Sequence, residues 1–426
     1  MEEMVTISAI CVVGLGYIGL PTATLLALGG NQVIGVDIDN MRINELQSGK
    51  IPIEEPNLQS LFQEVTATGH LRFSTVPEPA EAFFIAVPTP CNAQQACDLH
   101  AVISALDSIT PHLRHGNLVV VESTIPPGTC IDVIKPCLEA AGYNIGLDLY
   151  LAHCPERVLP GNILYELVNN NRIIGGCTPQ CSETAVKYYR SFVEGNLLLT
   201  DSSTAEMAKL MENTYRDLNI ALANEAVMLC HRLGLNGLEV ITLANQHPRV
   251  DILNPGPGVG GHCLAVDPYF IIEKAPEVAR LISMARKINR EMPAYIVKLI
   301  GQLLSGHNNP RIAVLGISYK GNVGDCRESP ALEIIEHLQQ NGYVITVFDP
   351  HVQPFGYDLI STVRNADLIL ILSDHDEFRK LDYHELSGYM RTPMIFDTKN
   401  LLHPVDFINS SITFFNLGNI ASYAKP

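Results

Sequence analysis

The stretch AICVVGLGYIGLPTATLLALGGNQVIGVDID, at residues 9–39, decides the fold of the first part of the chain. Two short apolar runs, each typical of a buried strand, enclose a glycine-rich turn and a helical segment. Gly14, Gly16 and Gly19 follow the spacing GxGxxG, in which the first glycine permits a tight turn, the second lets the backbone approach a pyrophosphate, and the third lets the helix pack close to the strand. We therefore expect a Rossmann-type unit that binds a dinucleotide; a glycine turn without a ligand is the alternative.

Asp37 ends the second apolar run, at the position of the acid that accepts hydrogen bonds from ribose hydroxyls in dinucleotide-binding domains. A carboxylate there would repel a 2′-phosphate, so we expect NAD as the cofactor rather than NADP. Two further apolar runs lead into AVPTP and VESTIPPG, which places Thr89 and Thr124 at the carboxyl ends of strands. Ligands of doubly wound sheets bind at this edge. Both threonines are therefore predicted to lie beside the nicotinamide, unless they serve only in turns.

The same order of elements returns in the segment PRIAVLGISYKGNVGDCRESPALEIIEHLQQNGYVITVFDPH. Gly316, Gly321 and Asp349 correspond to the first glycine, the last glycine and the acid of the first unit. The turn is longer, so it is not a second dinucleotide motif, and it carries Lys320 and Arg327. Positive charge beside a glycine turn at the start of a helix favours a diphosphate or a nucleotide.

Between the two α/β units, residues 200–235 have the pattern of one long helix. We predict an α/β fold class with two Rossmann-like doubly wound domains joined by a long central helix. The predicted domains are residues 1–200, which bind the dinucleotide, residues 201–304, which are helical and carry a glycine-rich loop with a cysteine, and residues 311–426, which form the second Rossmann-like domain.

Composition narrows the classes of function. The formal net charge of −17 argues against a nucleic-acid partner, because such partners require a positive surface. A small anionic ligand needs only a local cluster of cations and N–H groups. The first residues lack the basic segment of a signal peptide, and no apolar run approaches the ~20 residues that span a bilayer. The expectation is a cytoplasmic protein without a membrane partner.

The loop NPGPGVGGHCLAVDPYF, residues 254–270, presents Cys263 among glycines and prolines instead of apolar neighbours. Metal binding is a poor explanation, because the donors are crowded into one short segment with no matching distal cluster, so we predict no metal. A cysteine is useful when an alcohol is oxidised beyond the aldehyde to an acid. Its thiolate adds to the aldehyde to form a thiohemiacetal, which is oxidised to a thioester, and water then hydrolyses the thioester. Nearby positive charge or N–H groups activate such a thiolate.

Lys209, Asn213 and Arg216 lie along one stripe of the long helix. Lys209 would supply positive charge to a thiolate if the stripe faces a site. The alternative is an ordinary solvated helix face.

The motifs VVGLGYIGLP, AVPTP, CPERVLPG, AEMAKLMENTYRDLNIALANE, HPRVDILNPGPGVGGHCLAVDP and GISYKGNVGDCRESP resemble those of the UDP-glucose/GDP-mannose dehydrogenase family. Members of this family are NAD-dependent four-electron oxidoreductases of nucleotide sugars. The resemblance runs from about residue 9 to the last segment. His262 before Cys263 and Ala265-Val266 before Asp267 resemble the branch that acts on N-acetylated sugars. Other branches have a lysine where this chain has Val266, so the resemblance implies no substrate contact at that position.

The resemblance implies roles for individual residues. Cys263 would be the nucleophile, Lys209 the acid/base or oxyanion-stabilising group, and Asn213 a donor to the reacting oxygen. Asp267 would assist water activation, and Glu156 would assist proton transfer; a structural ion pair with the neighbouring Arg157 is the alternative for Glu156. The implied substrate contacts are Arg157, Val158, Lys209, Asn213, Arg216, His247, Arg249, Gly260, Tyr319 and Lys320. The implied NAD contacts are Gly14, Gly16, Tyr17, Ile18, Gly19, Asp37, Thr89, Thr124 and Arg327.

The resemblance also implies partners and a reaction. Residues 201–304 would mediate a homodimer, with Arg249 acting across the interface, and residues 311–426 would bind the UDP-sugar. The implied reaction is oxidation of UDP-N-acetyl-D-mannosamine to its uronate, in a pathway that makes a cell-surface polysaccharide. UDP-N-acetylglucosamine or UDP-glucose as substrate, an epimerase that recycles bound NAD, and an inactive nucleotide-binding regulator are the alternatives.

Overall fold

The computed structural model describes residues 9–422 except positions 54, 93, 160 and 357. Residues 1–8 and 423–426 of the two predicted terminal domains lie outside this description. The chain divides into two compact units. One contains the described residues up to Glu212 together with Tyr269–Lys274, and the other contains Asn213–Pro268 and the residues from Ala275 onward.

In its described part, the first unit contains an eight-stranded sheet with the order β3-β2-β1-β4-β5-β6-β7-β8. The strands are β1 (Ala9–Val13), β2 (Gln32–Val36), β3 (Leu71–Ser74), β4 (Ala82–Ile85), β5 (Leu118–Val121), β6 (Tyr150–His153), β7 (Arg172–Gly176) and β8 (Leu197–Asp201). Strands β1 to β6 are parallel and have the order of a Rossmann fold. Strand β7 pairs antiparallel with β6, and β8 pairs parallel with β7.

Helices cover both faces of this sheet. They are α1 (Gly19–Leu28), α2 (Asn40–Gln47), α3 (Leu58–Ala67), α4 (His100–Ile109), α5 (Lys135–Ala140), α6 (Ile163–Asn169) and α7 (Pro179–Tyr189), with a 3₁₀ turn at Thr110–His112 and a π-helical turn at Cys130–Ile134. One face packs residues such as Val12, Leu26 and Tyr189 into a core. The other face buries Val13, Ile109 and Leu138. Burial on both faces explains why the central strands β1, β4 and β5 are apolar throughout instead of alternating.

The predicted long helix is confirmed as α8 (Ser202–Leu233), which begins in the first unit and continues into the second. It is followed by α9 (Gly237–Ala244), α10 (Asp267–Lys274) and α11 (Arg280–Leu303). None of the described helices combines the length and apolar character needed to cross a membrane.

The second unit contains a parallel five-stranded sheet, within its described residues, with the order β10-β9-β11-β12-β13. The strands are β9 (Arg311–Leu315), β10 (Val344–Phe348), β11 (Leu368–Ile371), β12 (Met394–Asp397) and β13 (Thr413–Asn416). The helices are α12 (Pro330–Gln340), α13 (Leu359–Val363), α14 (Asp376–Arg379) and α15 (Tyr383–Ser387), with 3₁₀ turns at Pro404–Phe407 and Ile420–Ser422. The order is that of a doubly wound sheet, which confirms the predicted fold class.

One face of the second sheet shares a core with the central helices. Val227 of α8, Ile241 of α9 and Met292 of α11 belong to the same buried cluster as Leu370 of β11. The predicted boundaries of a separate central domain, 201–304, stay a prediction.

Candidate active site

The first glycine turn has the geometry that a bound pyrophosphate requires. Gly14 has φ +94°, and a Cβ there would lie 2.5 Å from the Ala86 carbonyl oxygen. A Cβ on Gly16 would meet nothing within 4 Å, so the backbone is open to a ligand. A Cβ on Gly19 would lie 1.8 Å from the Gly14 oxygen, which shows how closely α1 packs on the turn. Tyr17 is exposed and Ile18 directly precedes α1. The residues present therefore fit a dinucleotide.

Asp37 is held against this turn. Its Oδ2 accepts a hydrogen bond from Leu15 N–H at 2.9 Å, and its Oδ1 accepts one from Asp39 N–H at 3.0 Å. Arg42 of α2 forms an ion pair with Oδ2 at 3.0 Å. Sequence reasoning missed Arg42, because a positive residue five positions after the acid is not part of the motif. The ion pair places a cation beside the predicted ribose site.

Thr89 and Thr124 follow the adjacent parallel strands β4 and β5, as predicted, and both are partly exposed. Ser123 ties the two strand ends together: its hydroxyl accepts a hydrogen bond from Val87 N–H at 2.9 Å and donates one to the Val87 carbonyl at 2.8 Å. The two threonines thus lie on neighbouring segments at the same edge of the sheet, where a nicotinamide is expected.

The second glycine turn repeats the backbone arrangement of the first but adds a long loop before its helix. Gly316 N–H donates to the Phe348 carbonyl at 2.9 Å, as Gly14 N–H donates to the Val36 carbonyl at 2.8 Å. The loop carries Tyr319, Lys320 and Arg327, of which Tyr319 and Lys320 are partly exposed and Arg327 is exposed.

The cysteine loop packs on this second turn. Gly261 N–H donates to the Arg327 carbonyl at 3.2 Å, and a Cβ on Gly261 would lie 2.7 Å from the Tyr319 ring. A Cβ on Gly260 would lie 2.4 Å from the Glu328 carbonyl oxygen. The structure therefore brings Gly260 close to the loop of Tyr319 and Arg327, which lies more than fifty positions away in the sequence.

Cys263 is exposed, four positions before the start of α10 at Asp267. Its carbonyl accepts hydrogen bonds from Val266 N–H at 3.0 Å and Asp267 N–H at 2.8 Å, so the residues after it already turn into the helix. A cysteine close to a helix N-terminus is in a setting that favours the thiolate.

Asn213 and Asp267 meet beneath this turn. The Asn213 amide of α8 donates to Asp267 Oδ2 at 2.5 Å, and both residues are buried. Arg216, one turn along α8, donates to the Asn213 side-chain oxygen. The helical stripe is therefore not an ordinary solvated face at Asn213, because the amide is held between a guanidinium and a carboxylate.

Lys209 is also buried, in the first unit. It lies close enough to His153 to couple electrostatically with it. Burial lowers the pKa of His153 to about 3, and the positive charge of Lys209 acts in the same direction. His153 therefore stays neutral over the physiological range. Sequence reasoning did not single out His153, which ends β6 directly before the motif CPERVLPG.

Glu156 and Arg157 have different ion-pair partners. Glu156 Oε2 lies 2.9 Å from Arg172 Nη2, while Glu156 Oε1 accepts the Arg157 N–H at 2.7 Å. The Arg157 guanidinium instead pairs with Glu212 of α8 at 2.7 Å. The structural role considered for Glu156 thus involves Arg172, a residue that sequence reasoning missed because it lies sixteen positions away.

The remaining predicted substrate residues are Val158, His247 and Arg249. Val158 packs beside the small core of Leu25, Ile163 and Leu167. His247 and Arg249 are exposed after α9, where Arg249 N–H donates to His247 Nδ1 at 3.3 Å. Their role in substrate binding stays a prediction.

A group of possible metal ligands occurs at His351, His375 and Glu377, in the described part of the second unit. His375 Nδ1 accepts the Asn322 N–H at 2.8 Å, and its Nε2 lies 3.2 Å from Asp349. Because both ring nitrogens of His375 already have partners, the group fits a structural hydrogen-bond network better than a cation site.

Three family models cover successive parts of the chain. The NAD binding domain of the UDP-glucose/GDP-mannose dehydrogenase family matches residues 8–193, the central domain of that family matches residues 203–291, and its UDP binding domain matches residues 313–404. The chain belongs to the UDP-glucose/GDP-mannose dehydrogenase family. NAD as cofactor and a nucleotide sugar as the class of substrate follow from this membership.

Relatives in the family share most of their length with this chain. A UDP-N-acetyl-D-mannosamine dehydrogenase of Methanococcus maripaludis is 48% identical, over 93% of each chain. An NDP-N-acetyl-D-galactosaminuronic acid dehydrogenase of Ralstonia nicotianae is 46% identical, over 92% of this chain and 96% of the relative. The solved structure of the UDP-N-acetyl-mannosamine dehydrogenase Cap5O from S. aureus superposes with a TM-score of 0.91 at 52% identity, covering 98% of this chain and all of that one.

Proposed function

We propose that this member of the family oxidises UDP-N-acetyl-D-mannosamine to UDP-N-acetyl-D-mannosaminuronate, with two NAD reduced per sugar. The observation that carries the proposal is the likeness, at 48% identity over 93% of the chain, to a relative that bears this activity in its name. The cysteine loop supports it, because Gly260 and Gly261, directly before the His262-Cys263 pair, pack against Tyr319 of the UDP binding domain.

The reaction requires two oxidations at one carbon. In the first, the C6 alcohol loses a proton to a base and a hydride, giving an aldehyde. The Cys263 thiolate then adds to the aldehyde carbonyl, and the thiohemiacetal loses a second hydride to become a thioester. Water attacks the thioester, releasing the carboxylate and the thiolate. NAD held at the first glycine turn would supply the hydride acceptor for each oxidation.

The buried polar groups support particular roles in these steps. Lys209 is the acid/base or the ammonium that stabilises the oxyanion. Asn213, fixed by its bond to Asp267, donates to the reacting oxygen. Asp267 accepts a proton from the attacking water, and Glu156 assists proton transfer. Cys263 lies four positions before the start of α10, and N–H groups close to its thiol would activate it as a nucleophile.

Substrate and cofactor binding complete the proposal. The proposed contacts of the phosphates and the sugar are Arg157, Val158, Arg216, His247, Arg249, Gly260, Tyr319 and Lys320. NAD would be held by the glycine turn with Tyr17 and Ile18, by the carboxylate of Asp37, by the hydroxyls of Thr89 and Thr124, and by the guanidinium of Arg327. Asp37 disfavours the 2′-phosphate of NADP.

We propose a homodimer that forms through α8. Tyr215, Leu222, Leu229 and Leu233 are exposed apolar side chains, and their spacing of seven, seven and four residues keeps them near one side of the helix. A stripe of this kind on a long helix supports a helix-to-helix interface between two copies. Replacing Leu222 and Leu229 by glutamate should therefore give a monomer in sedimentation experiments, and an unchanged dimer would contradict this interface.

A second candidate substrate is another UDP-N-acetylhexosamine, favoured by the relative named for N-acetyl-D-galactosaminuronic acid at 46% identity.

A cytoplasmic location belongs to the same proposal, because NAD-dependent chemistry with an exposed catalytic thiol suits a reducing compartment.

A panel of nucleotide sugars tests the proposal. Purified protein is incubated with NAD and UDP-N-acetyl-D-mannosamine, UDP-N-acetylglucosamine, UDP-N-acetylgalactosamine or UDP-glucose, and both the product mass and the NADH formed are measured. We expect uronate with two NADH per sugar, at the highest kcat/KM for UDP-N-acetyl-D-mannosamine. Preference for another sugar would reject the substrate, and an isomer of unchanged mass without net NADH would indicate an epimerase.

A further inference from the structure

Arg172, the first residue of β7, lies at the centre of a buried group of polar side chains in the first unit. Its Nη2 is 2.7 Å from Glu122 Oε1 and 2.9 Å from Glu156 Oε2. One guanidinium thus serves two carboxylates, of which Glu122 is completely buried and Glu156 nearly so.

The position of the guanidinium is fixed by its surroundings. It lies 4.4 Å from the centre of the Tyr189 ring, and the Tyr189 hydroxyl donates to Glu122 Oε1 at 2.7 Å. Thr22 Oγ1 donates to the other oxygen of Glu122 at 3.2 Å. Burial opposes the charge on Arg172, but Glu156, Tyr189 and Glu122 together raise its pKa. The guanidinium is therefore a permanent positive charge in an apolar setting.

We propose that Arg172 is a positioning residue for the oxidation: it orients the Glu156 carboxylate, and Glu122 weakens this effect by sharing the same guanidinium. The inference rests on the proposed function, in which Glu156 takes up a proton. A carboxylate accepts a proton only in its ionised form, and an adjacent cation favours that form.

Arg172 is one of several groups that act on the Glu156 carboxylate. Arg172 faces Glu156 Oε2, and the Arg157 N–H binds Oε1. Glu122 and Cys154 interact electrostatically with Glu156, and Tyr189 lies behind Arg172. Burial raises the pKa of Glu122, yet its three donors, Thr22, Tyr189 and Arg172, suit an ionised carboxylate.

Variants of Arg172 and of its second partner Glu122 distinguish this positioning role from a purely structural one. The pH dependence of kcat is measured for Arg172→Lys, Arg172→Gln and Glu122→Gln, with thermal unfolding followed in parallel. The matched control is Arg72→Gln, which removes an arginine from an exposed ion pair with Glu78 in the same unit.

The expected shifts have opposite directions. Arg172→Gln should lower kcat by about 10²-fold, the smaller end of what a general base contributes, and Arg172→Lys should restore about tenfold of that loss. The acidic limb of the kcat profile should move to higher pH in Arg172→Gln and to lower pH in Glu122→Gln. The KM for NAD and the profile of Arg72→Gln should stay as in the wild type.

An unmoved acidic limb in Glu122→Gln, or a shift in the same direction as in the arginine variants, would overturn the inference even if Arg172→Gln does not fold. Failure of the proposed function has a different signature, because the wild-type protein would then form no uronate in the same assay.

Discussion

The two glycine turns of the molecule have the same backbone but different surroundings. In both, a glycine with positive φ donates its N–H to the end of the next strand, at +94° for Gly14 and +86° for Gly316. In both, an acid at the end of that strand accepts backbone N–H groups from the turn, as Asp37 does from Leu15 and Asp349 does from Ile317. The order strand, glycine turn, helix, strand and acid thus specifies a local fold, and not a ligand.

The two turns differ in the partner of the acid and in the length of the loop before the helix. Asp37 pairs with the half-exposed Arg42, whereas Asp349 is completely buried and lies 3.2 Å from the buried His375. Helix α1 begins three residues after Gly16, but α12 begins only at Pro330, so the second turn has room for Tyr319. The first turn is therefore suited to a dinucleotide, and the second supports the cysteine loop.

The largest effect is expected from a methyl group in the first turn. Gly19→Ala places a Cβ 1.8 Å from the Gly14 oxygen, and should destabilise the protein by about 3 kcal/mol or more and abolish NAD binding. Gly16→Ala, whose Cβ meets nothing within 4 Å, should change stability by less than about 0.5 kcal/mol yet still weaken NAD binding. Thermal unfolding and NAD titration check both; equal stability of the two variants would contradict the packing described.

Replacing each acid by asparagine should distinguish a structural role of Asp349 from a binding role of Asp37. Asp349→Asn places an amide where Ile317 N–H and Ser318 N–H donate, and should cost about 3 kcal/mol in the free energy of unfolding. Asp37→Asn should chiefly raise the KM for NAD. Urea unfolding and kinetics of both variants measure this, and a stable Asp349→Asn protein with poor NAD binding would reverse the assignment.

The pH dependence of stability should follow the buried acid. Although burial opposes it, hydrogen bonds from His375 and from backbone N–H groups hold the pKa of Asp349 below its usual value. Because the folded pKa is depressed, the stabilisation is present above about pH 4, the usual value of an unfolded aspartate, and is lost as the pH falls through the folded pKa. The difference in unfolding free energy between wild type and Asp349→Asn should therefore shrink on acidification, and a constant difference would exclude this linkage.

The smallest effect is expected at the partly exposed ion pair of the first turn. Arg42→Ala should lower stability by less than about 1 kcal/mol, because the arginine is partly solvated. It should change the KM for NAD more than it changes unfolding. Chemical denaturation alongside NAD kinetics tests this, with Arg72→Ala as a surface control; an unchanged KM would remove Arg42 from the cofactor site.

Much of the fold follows from the sequence because glycine spacing and apolar runs are local signals. The two doubly wound sheets and the helix at residues 200–235 were predictable in this way. The partners of site residues were not, because they depend on tertiary contacts. Arg172 reaches Glu156 from a neighbouring strand, and Asn213 meets Asp267 across 54 positions. The proposed sugar rests on the likeness to relatives in the family, because no local sequence pattern encodes the configuration of one sugar carbon.

The central claim is that Cys263 carries the second oxidation. The direct test is the product formed by Cys263→Ala with UDP-N-acetyl-D-mannosamine and NAD, compared with wild type and with Cys137→Ala, which removes another exposed cysteine. The account predicts uronate and two NADH per sugar for wild type and Cys137→Ala, and no uronate for Cys263→Ala. Uronate with two NADH per sugar from Cys263→Ala would contradict it.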